Sequence, residues 1–250
     1  MKKYLLIDGD SLAYLAMGSD TLEEGMAVID NIIIDMLYAN KCSKYHIYLS
    51  RNSFRKDIST IRAYKGNRSK LENILLPSLL KYIEVDHGGV SEYKLEADDL
   101  VVYFKTKDTE NAIICSIDKD VLGQIAGTHY NYRKKEFVTT SEWDAVEFLW
   151  KQTLMGDSGD NIVGVPNVGE KKSTKLLSSC ENEEQLINTV LHKYIEYYGK
   201  IKGVANFNEN LNLVYLLRTD EDMLSRVDKL PKELSMGKVF NIEKDVTNLI

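Results

Sequence analysis

The residues of this chain best suited to chemistry are acidic, and they fall in four short clusters. Asp8 and Asp10 lie in "IDGD", and Glu96, Asp98 and Asp99 in "LEADD". Asp118 and Asp120 lie in "SIDKD", and Asp157 and Asp160 in "GDSGD". At a helix start, 3.6 residues per turn send Glu96 and Asp99 one way and rotate Asp98 by about 200°. Strand alternation would place Asp118 and Asp120 on one face, and a helical "GDSGD" would make Asp157 and Asp160 neighbours. Carboxylates brought together repel one another unless cations neutralise them. Hard oxygen ligands suit Mg²⁺ or Mn²⁺, and the sequence has no CxxC or HExxH pattern that would point to zinc. Two such ions roughly 3.5 to 4 Å apart can activate a water and stabilise the leaving oxygen of a phosphodiester. Aspartate also caps helices and makes turns. That accounts for any single cluster more easily than for four, and Asp10 reads equally well as a cap for a helix starting at Ser11.

Positioning these acids requires a particular set of elements. "KYLLID", "YHIYLS" and "NAIICSID" read as buried strands of a parallel sheet, with helical patterns at Ser11 to Gly18, Thr21 to Ala39 and Glu96 to Lys105. Alternating strands and helices predict an α/β fold with a central sheet, its functional residues at the carboxyl ends of the strands, where Asp8, Ser50 and Asp118 fall. The segment from Arg51 to Lys70 is basic and weakly periodic, so it reads as a loop or mobile element over the sheet edge. Its "AYKGNRSK" offers cations for phosphates and a tyrosine that could stack on a base. After Thr140 the chain turns helical. Ser141 and Asp144 form a capping signature, and Trp143, Phe148 and Trp150 sit at helical spacing as expected core. "GVPNVGEKKSTK" follows, a glycine-punctuated turn running into a short helix. Its glycines, among them Gly164 and Gly169, permit close backbone approach, its N–H groups could face a phosphate, and Lys171, Lys172 and Lys175 add charge. The bland alternatives are a solvated basic loop and an ordinary connector.

With 250 residues, 44% hydrophobic and 28% charged, the chain reads as a globular protein. Its longest apolar run, Val28 to Ala39, is broken by Asp30, Asn31 and Asp35 and cannot span a bilayer. No secretory signal is visible, and Cys42, Cys115 and Cys180 form no pairing pattern, so a cytoplasmic location is expected. A net charge of −6 would ordinarily disfavour a nucleic-acid partner. Setting aside the eight metal-site candidates (Asp8, Glu96, Asp98, Asp99, Asp118, Asp120, Asp157, Asp160) leaves +2 for the rest.

Taken in order, "LIDGDSLAY", "FRKDISTIRAYKGNRS", "LEADDLV", "SIDKDVLGQI" and "MGDSGDNIVGVPNVGEKKSTKLL" resemble the 5′ nuclease (flap endonuclease) family. The resemblance is nearest to compact bacteriophage 5′-3′ exonucleases and the 5′ nuclease domain of bacterial DNA polymerase I, and covers about Lys3 to Leu177. It implies a PIN-like fold, a mostly parallel central sheet flanked by helices, with a C-terminal helical region bearing a helix-hairpin-helix duplex-binding element. It also implies an α/β nuclease core at 1–140 with a short basic arch at about 51–95. A helical region at 141–250 would carry the hairpin element at about 150–180 and pack on the core as one unit. One Mg²⁺ would fall to Asp8, Glu96, Asp98 and Asp118, and a second to Asp120, Asp157 and Asp160, with Asp99 in a shared shell. Lys65 and Arg68 would approach the scissile phosphate. Arg55 would join them in binding DNA, and Tyr64 would stack near the terminal nucleotide. Main-chain carbonyls of Val163, Val165 and Val168 would bind a monovalent cation such as K⁺ beside the duplex.

The activity implied is Mg²⁺-dependent hydrolysis of DNA with a 5′ end, nick or flap, by a monomer working in replication or repair. Two departures from the family pattern stand out. Ser50 occupies the place of an expected aspartate, and only 27 residues separate Arg68 from Glu96, short for a threading arch. Alternative readings are a branched-DNA-binding module with impaired catalysis and a PIN-type ribonuclease.

Overall fold

The computed structural model describes residues 3–68 and 73–231. The ends of the "GNRSK" stretch and of the C-terminal helical reading lie outside the described residues.

The central strand explains the rest of the sheet. β1 (Tyr4–Asp8) carries Leu5, Leu6 and Ile7, all fully buried, and such a run is stable only with both faces covered. It pairs in parallel with β2 (Tyr45–Arg51) on one side and with β4 (Ala112–Cys115) on the other. β3 (Val90–Tyr93) extends the β2 edge in parallel, and β5 (Gly127–Asn131) extends the β4 edge, giving the order β3-β2-β1-β4-β5-β6. β6 (Glu136–Thr140) closes the far edge as the antiparallel arm of a hairpin with β5. The sheet is thus mostly parallel, as expected. Chain order diverges between β1 and β4, where an open α/β sheet leaves a crevice at its carboxyl end.

One face is covered by α1 (Gly9–Ala16), α2 (Leu22–Ala39) and α4 (Leu76–Asp86), whose Leu12, Ile29, Ile33, Leu79 and Ile83 share a core with Leu5 and Ile7. Thr21 and Glu24 form a reciprocal capping box that starts α2. The other face packs Leu6 and Ile114 against Leu100, Val101 and Val121 of α5 (Ala97–Lys107) and α6 (Lys119–Gln124). A separate core, with Trp150, Leu154, Leu186, Val190, Tyr194 and Phe207, joins α7 (Glu142–Met155), α8 (Glu170–Leu177), α9 (Glu183–Tyr198) and α10 (Lys200–Val214).

Several local expectations need correction. Residues 51–68 of the basic segment form a loop held to its surroundings by hydrogen bonds. It contains the short helix α3 (Arg55–Ile58), and Lys65 N–H donates to the Asp160 carbonyl at 2.8 Å. Asn67 Nδ2 donates to the Ser158 carbonyl at 2.7 Å, and Asn161 Nδ2 to the Ala63 carbonyl at 2.9 Å. The stretch beyond it contains α4 and β3, which the sequence reading did not separate. Trp143 is 37% exposed, outside the core to which Trp150 belongs. The "GDSGD" cluster is not helical. β7 (Gly156–Asp157) and β8 (Ile162–Val163) form a miniature hairpin, with Asp157 at the end of its first strand and Asp160 in its turn.

Candidate active site

The eight acids Asp8, Asp10, Glu96, Asp98, Asp118, Asp120, Asp157 and Asp160 line one cavity of about 490 Å³ at the carboxyl end of the sheet. Arg55, Lys56, Lys65, Arg68 and Lys119 line it too, which leaves three negative charges uncompensated.

Each acid arrives by a local device. Asp8 ends β1 and caps α1. Its Oδ1 accepts from Ser11 N–H at 3.3 Å, and Ser11 Oγ donates to its other oxygen. The cap is therefore Asp8, not Asp10. Asp10 accepts from the Ser50 N–H at 3.2 Å and joins the cavity wall. Gly9 between them permits the approach of α1 to β2, since a Cβ there would lie 2.5 Å from Ile47 Cγ2 and 2.8 Å from the Tyr48 carbonyl oxygen. Asp118 caps α6 and accepts from Asp120 N–H at 2.7 Å. These two acids therefore converge through a helix start rather than through strand alternation. Asp157 Oδ1 accepts from the N–H groups of Gly159 at 2.7 Å and Asp160 at 3.2 Å, which curls the turn and brings Asp160 back to the cavity.

"LEADD" departs from the helical-wheel expectation because Glu96 is the cap and lies outside the helix proper. Glu96 and Asp98 both line the cavity, while Asp99 points into the core and is fully buried. Asp99 is no wall of the metal pocket. It takes a bidentate pair from Arg55, at 2.7 and 2.8 Å. Arg55 is in turn 2% exposed. Its Nη1 also reaches Glu96 at 3.1 Å, Nε donates to the Leu213 carbonyl at 2.9 Å, and Nη2 to the Tyr215 carbonyl at 2.7 Å. A guanidinium so fully used inside the fold is an internal tie rather than a phosphate contact. Tyr64 is likewise buried. Its hydroxyl donates to Glu96 and Asp160, each at 2.9 Å, so its ring offers no free stacking face.

Lys65 and Arg68 line the cavity. Lys65 Nζ pairs with Glu96 and stands 4.0 Å from Asp160, and Arg68 pairs with Asp160. Ser50 has no charge to give, and its Oγ accepts from Ala97 N–H at 2.9 Å. Sequence reasoning left Asp10 open between metal-site acid and cap and passed over Lys119 and Gln152; all three line the cavity. Only the "IDGD" spacing could have singled out Asp10.

The electrostatics follow from burial and crowding. Burial, then repulsion from Asp10, pushes Asp8 up to about 7, and burial with Asp118 nearby does the same to Asp120. Burial and the neighbouring Asp8 hold Asp98 well above the ordinary carboxylate range, and burial raises Asp10 and Asp118. Glu96 and Asp157 go the other way. Burial would raise them, but Arg55 and Lys65 outweigh it at Glu96, and Lys119 and two N–H groups at Asp157. Asp120 Oδ1 is buried with no hydrogen-bond donor. A surplus of oxygen donors, one of them orphaned, and acids that resist losing their protons fit a divalent cation in chemistry and number. Among the described residues, no three side chains are yet gathered as a finished metal cage. Lysine and arginine groups stand among the acids instead.

The hairpin predicted to grip a duplex lies outside this cavity. Gly164 is required where it stands, since a Cβ would fall 2.1 Å from the Met155 carbonyl carbon. Gly169 caps α8 with open space around it, and Lys171, Lys172 and Lys175 are exposed on that helix. The Val163 carbonyl accepts from Asn210 Nδ2 at 2.5 Å and that of Val165 from Val168 N–H at 3.2 Å, so two of the three proposed cation ligands already hold a partner.

The crevice is thus lined by acids, lysines and arginines and lies at the carboxyl end of a mostly parallel sheet. No family model matches the chain. Its known relatives are more specific. It is 30% identical over 218 residues to the DNA polymerase I of Bacillus subtilis, covering 76% of this chain and 24% of that protein. It is 31% identical over 182 residues to a 5′-3′ exonuclease of Buchnera aphidicola, covering 66% and 62%. Among solved structures, the bacteriophage T5 flap endonuclease bound to DNA and metal ions superposes with a TM-score of 0.68 at 17% identity, covering 86% of this chain and 89% of that one. The chain belongs to the 5′ nuclease, or flap endonuclease, family. It spans less than two thirds of the length of these two relatives.

Proposed function

We propose that this chain is a Mg²⁺-dependent 5′-3′ exonuclease and structure-specific flap endonuclease that hydrolyses DNA phosphodiesters in replication or repair. The observation that carries it is the cavity in which eight carboxylates meet Lys65 and Arg68. Asp8, Asp98 and Asp118, with Glu96, would hold one divalent ion, and Asp120, Asp157 and Asp160 a second. Bound there, such ions supply Lewis acidity that activates water and offsets charge on the leaving oxygen. The chain's own residues do the positioning. Lys65 and Arg68, paired with Glu96 and Asp160 in this structure, would turn to the scissile phosphate and stabilise its developing charge. The α8 N-terminus and Lys171, Lys172 and Lys175 hold duplex phosphates at a set distance from the cavity. A K⁺ at the hairpin would draw on the Val168 carbonyl and share those of Val163 and Val165 with their present donors.

The impaired-catalysis reading rests on Ser50, whose Oγ is committed to Ala97. Asp10 supports the active reading, because its carboxylate is hydrogen-bonded to the Ser50 N–H and restores an acid to that corner. The test is a 5′-labelled flap duplex incubated with Mg²⁺ or EDTA. Mg²⁺-dependent cutting near the junction is expected, and its absence on flap, nicked and blunt duplexes alike would refute the proposal. If Ser50→Asp raises the rate by orders of magnitude, the impaired reading gains. Equal cutting of unstructured RNA would favour a ribonuclease.

A further inference from the structure

Lys119 is the first residue of α6, between Asp118 and Asp120. Its side chain is 74% exposed, yet its ammonium does not run out to solvent. It stands 3.4 Å from Asp120 Oδ1 and 3.4 Å from Asp157 Oδ2. The first of these oxygens is buried and makes no hydrogen bond besides this ion pair, and the second comes from a hairpin 38 residues further along the chain. An exposed lysine ordinarily gains little from an ion pair and loses side-chain freedom by making one. A lysine folded back over two carboxylates therefore reports a strong local negative field. Bridging both acids, it stands where a cation shared between them would be drawn. Lys119 also lines a neighbouring cavity of about 660 Å³ between α6 and the β5–β6 hairpin, whose rim carries Asn131 and Lys134.

We propose that Lys119 is the resident counter-ion of the Asp120–Asp157 pair, yielding to a divalent cation and then turning its ammonium to a phosphate of the bound strand. The proposal rests on the metal-dependent reading of the cavity. Its consequence is coupling. Lysine and metal compete for the same oxygens, so metal entry frees a phosphate-binding group, and a phosphate that engages Lys119 favours metal entry in return.

The test is Mn²⁺ binding to the full chain without nucleic acid, read from the electron paramagnetic resonance of free Mn²⁺. The proteins compared are wild type, Lys119→Gln, Lys119→Arg and Lys44→Gln, the last at the opposite end of the sheet. Lys119→Gln is expected to bind its weaker Mn²⁺ about 3- to 10-fold more tightly, because one positive charge no longer competes. Lys119→Arg and Lys44→Gln should stay near wild type. With Ca²⁺ in place of Mg²⁺, Lys119→Gln should bind a 5′-flap duplex about threefold more weakly, with a salt slope reduced by about one. Unchanged or weaker Mn²⁺ affinity in Lys119→Gln would overturn the proposal, as would unchanged DNA affinity. A wild-type chain that binds no Mn²⁺ would instead bring down the metal reading on which the proposal stands.

Discussion

Arg55 is the tie whose removal should be felt furthest. Its guanidinium is 2% exposed and joins α3 to Asp99 and Glu96 at the start of α5 and to the carbonyls of Leu213 and Tyr215 at the end of α10. Arg55→Met keeps most of the apolar stem but leaves the fully buried Asp99 without its bidentate partner. Breaking one side of a buried ion pair costs about 3 to 5 kcal/mol, against a total stability of roughly 5 to 15 kcal/mol for a folded domain. Asp99→Asn alone should cost less, because an amide can still accept from Arg55. In Arg55→Met/Asp99→Asn both charges are gone, and part of the loss should be recovered. Urea unfolding followed by circular dichroism would give the four free energies, with a coupling of about 2 kcal/mol or more expected for groups in direct contact. Additive single losses, or a loss under about 1 kcal/mol for Arg55→Met, would refute the reasoning and show that Asp99 reaches water without its partner.

Four further outcomes are expected. Asp8 and Asp120 are raised to about 7. The folded chain therefore holds protons that the unfolded chain gives up from the ordinary carboxylate range upward, so stability in EDTA should fall as pH rises toward 7. The loss between about pH 5 and pH 7 should be on the order of 4 kcal/mol, roughly 2 for each group, and Mg²⁺ should largely restore it in thermal melts; a flat or rising profile in EDTA would contradict this. Thr21→Ala removes the α2 capping box and should cost about 1 kcal/mol in chemical denaturation. Gly9→Ala must displace Ile47 or the Tyr48 carbonyl, costing about 1 to 3 kcal/mol, and should lower the melting temperature measurably. Replacing Lys171, Lys172 and Lys175 with Gln should weaken duplex binding in Ca²⁺ and reduce the salt slope by up to about 2.7.

Much of the fold was legible because its strongest elements obey one rule each. "YLLID" and "YHIYL" are apolar runs that only a two-sided sheet can bury, and α2 has both a periodic face and a capping box. What escaped were elements without such a signal. β3 is a four-residue edge strand, "VSEY", with no buried residue, and the β5–β6 hairpin alternates polar residues on a sheet edge. α4 has a proline at its second position, Pro77, and shows only Leu79 and Ile83 as buried anchors.

The site was legible as composition and less so as geometry. The acids were found because four clusters of one chemistry are improbable as caps alone. Their orientations were misjudged because Glu96 and Asp118 cap helices, where neither the helical wheel nor strand alternation applies. Arg55 and Tyr64 were read as DNA-facing because their types suit it. Nothing in sequence reveals that Asp99 and Glu96 fold over them. Asp10 was undervalued for the opposite reason, since its partner is a backbone N–H forty residues away.

The central claim is that the carboxylate cavity holds divalent cations. It is tested most directly by anomalous scattering from crystals of the chain soaked in Mn²⁺. The account expects Mn²⁺ coordinated by Asp8, Asp98 and Asp118, and a second ion at Asp120 and Asp157 with Lys119 moved off their oxygens. Well-ordered crystals at saturating Mn²⁺ with no ion at any of these carboxylates, and Lys119 still bridging Asp120 and Asp157, would contradict it.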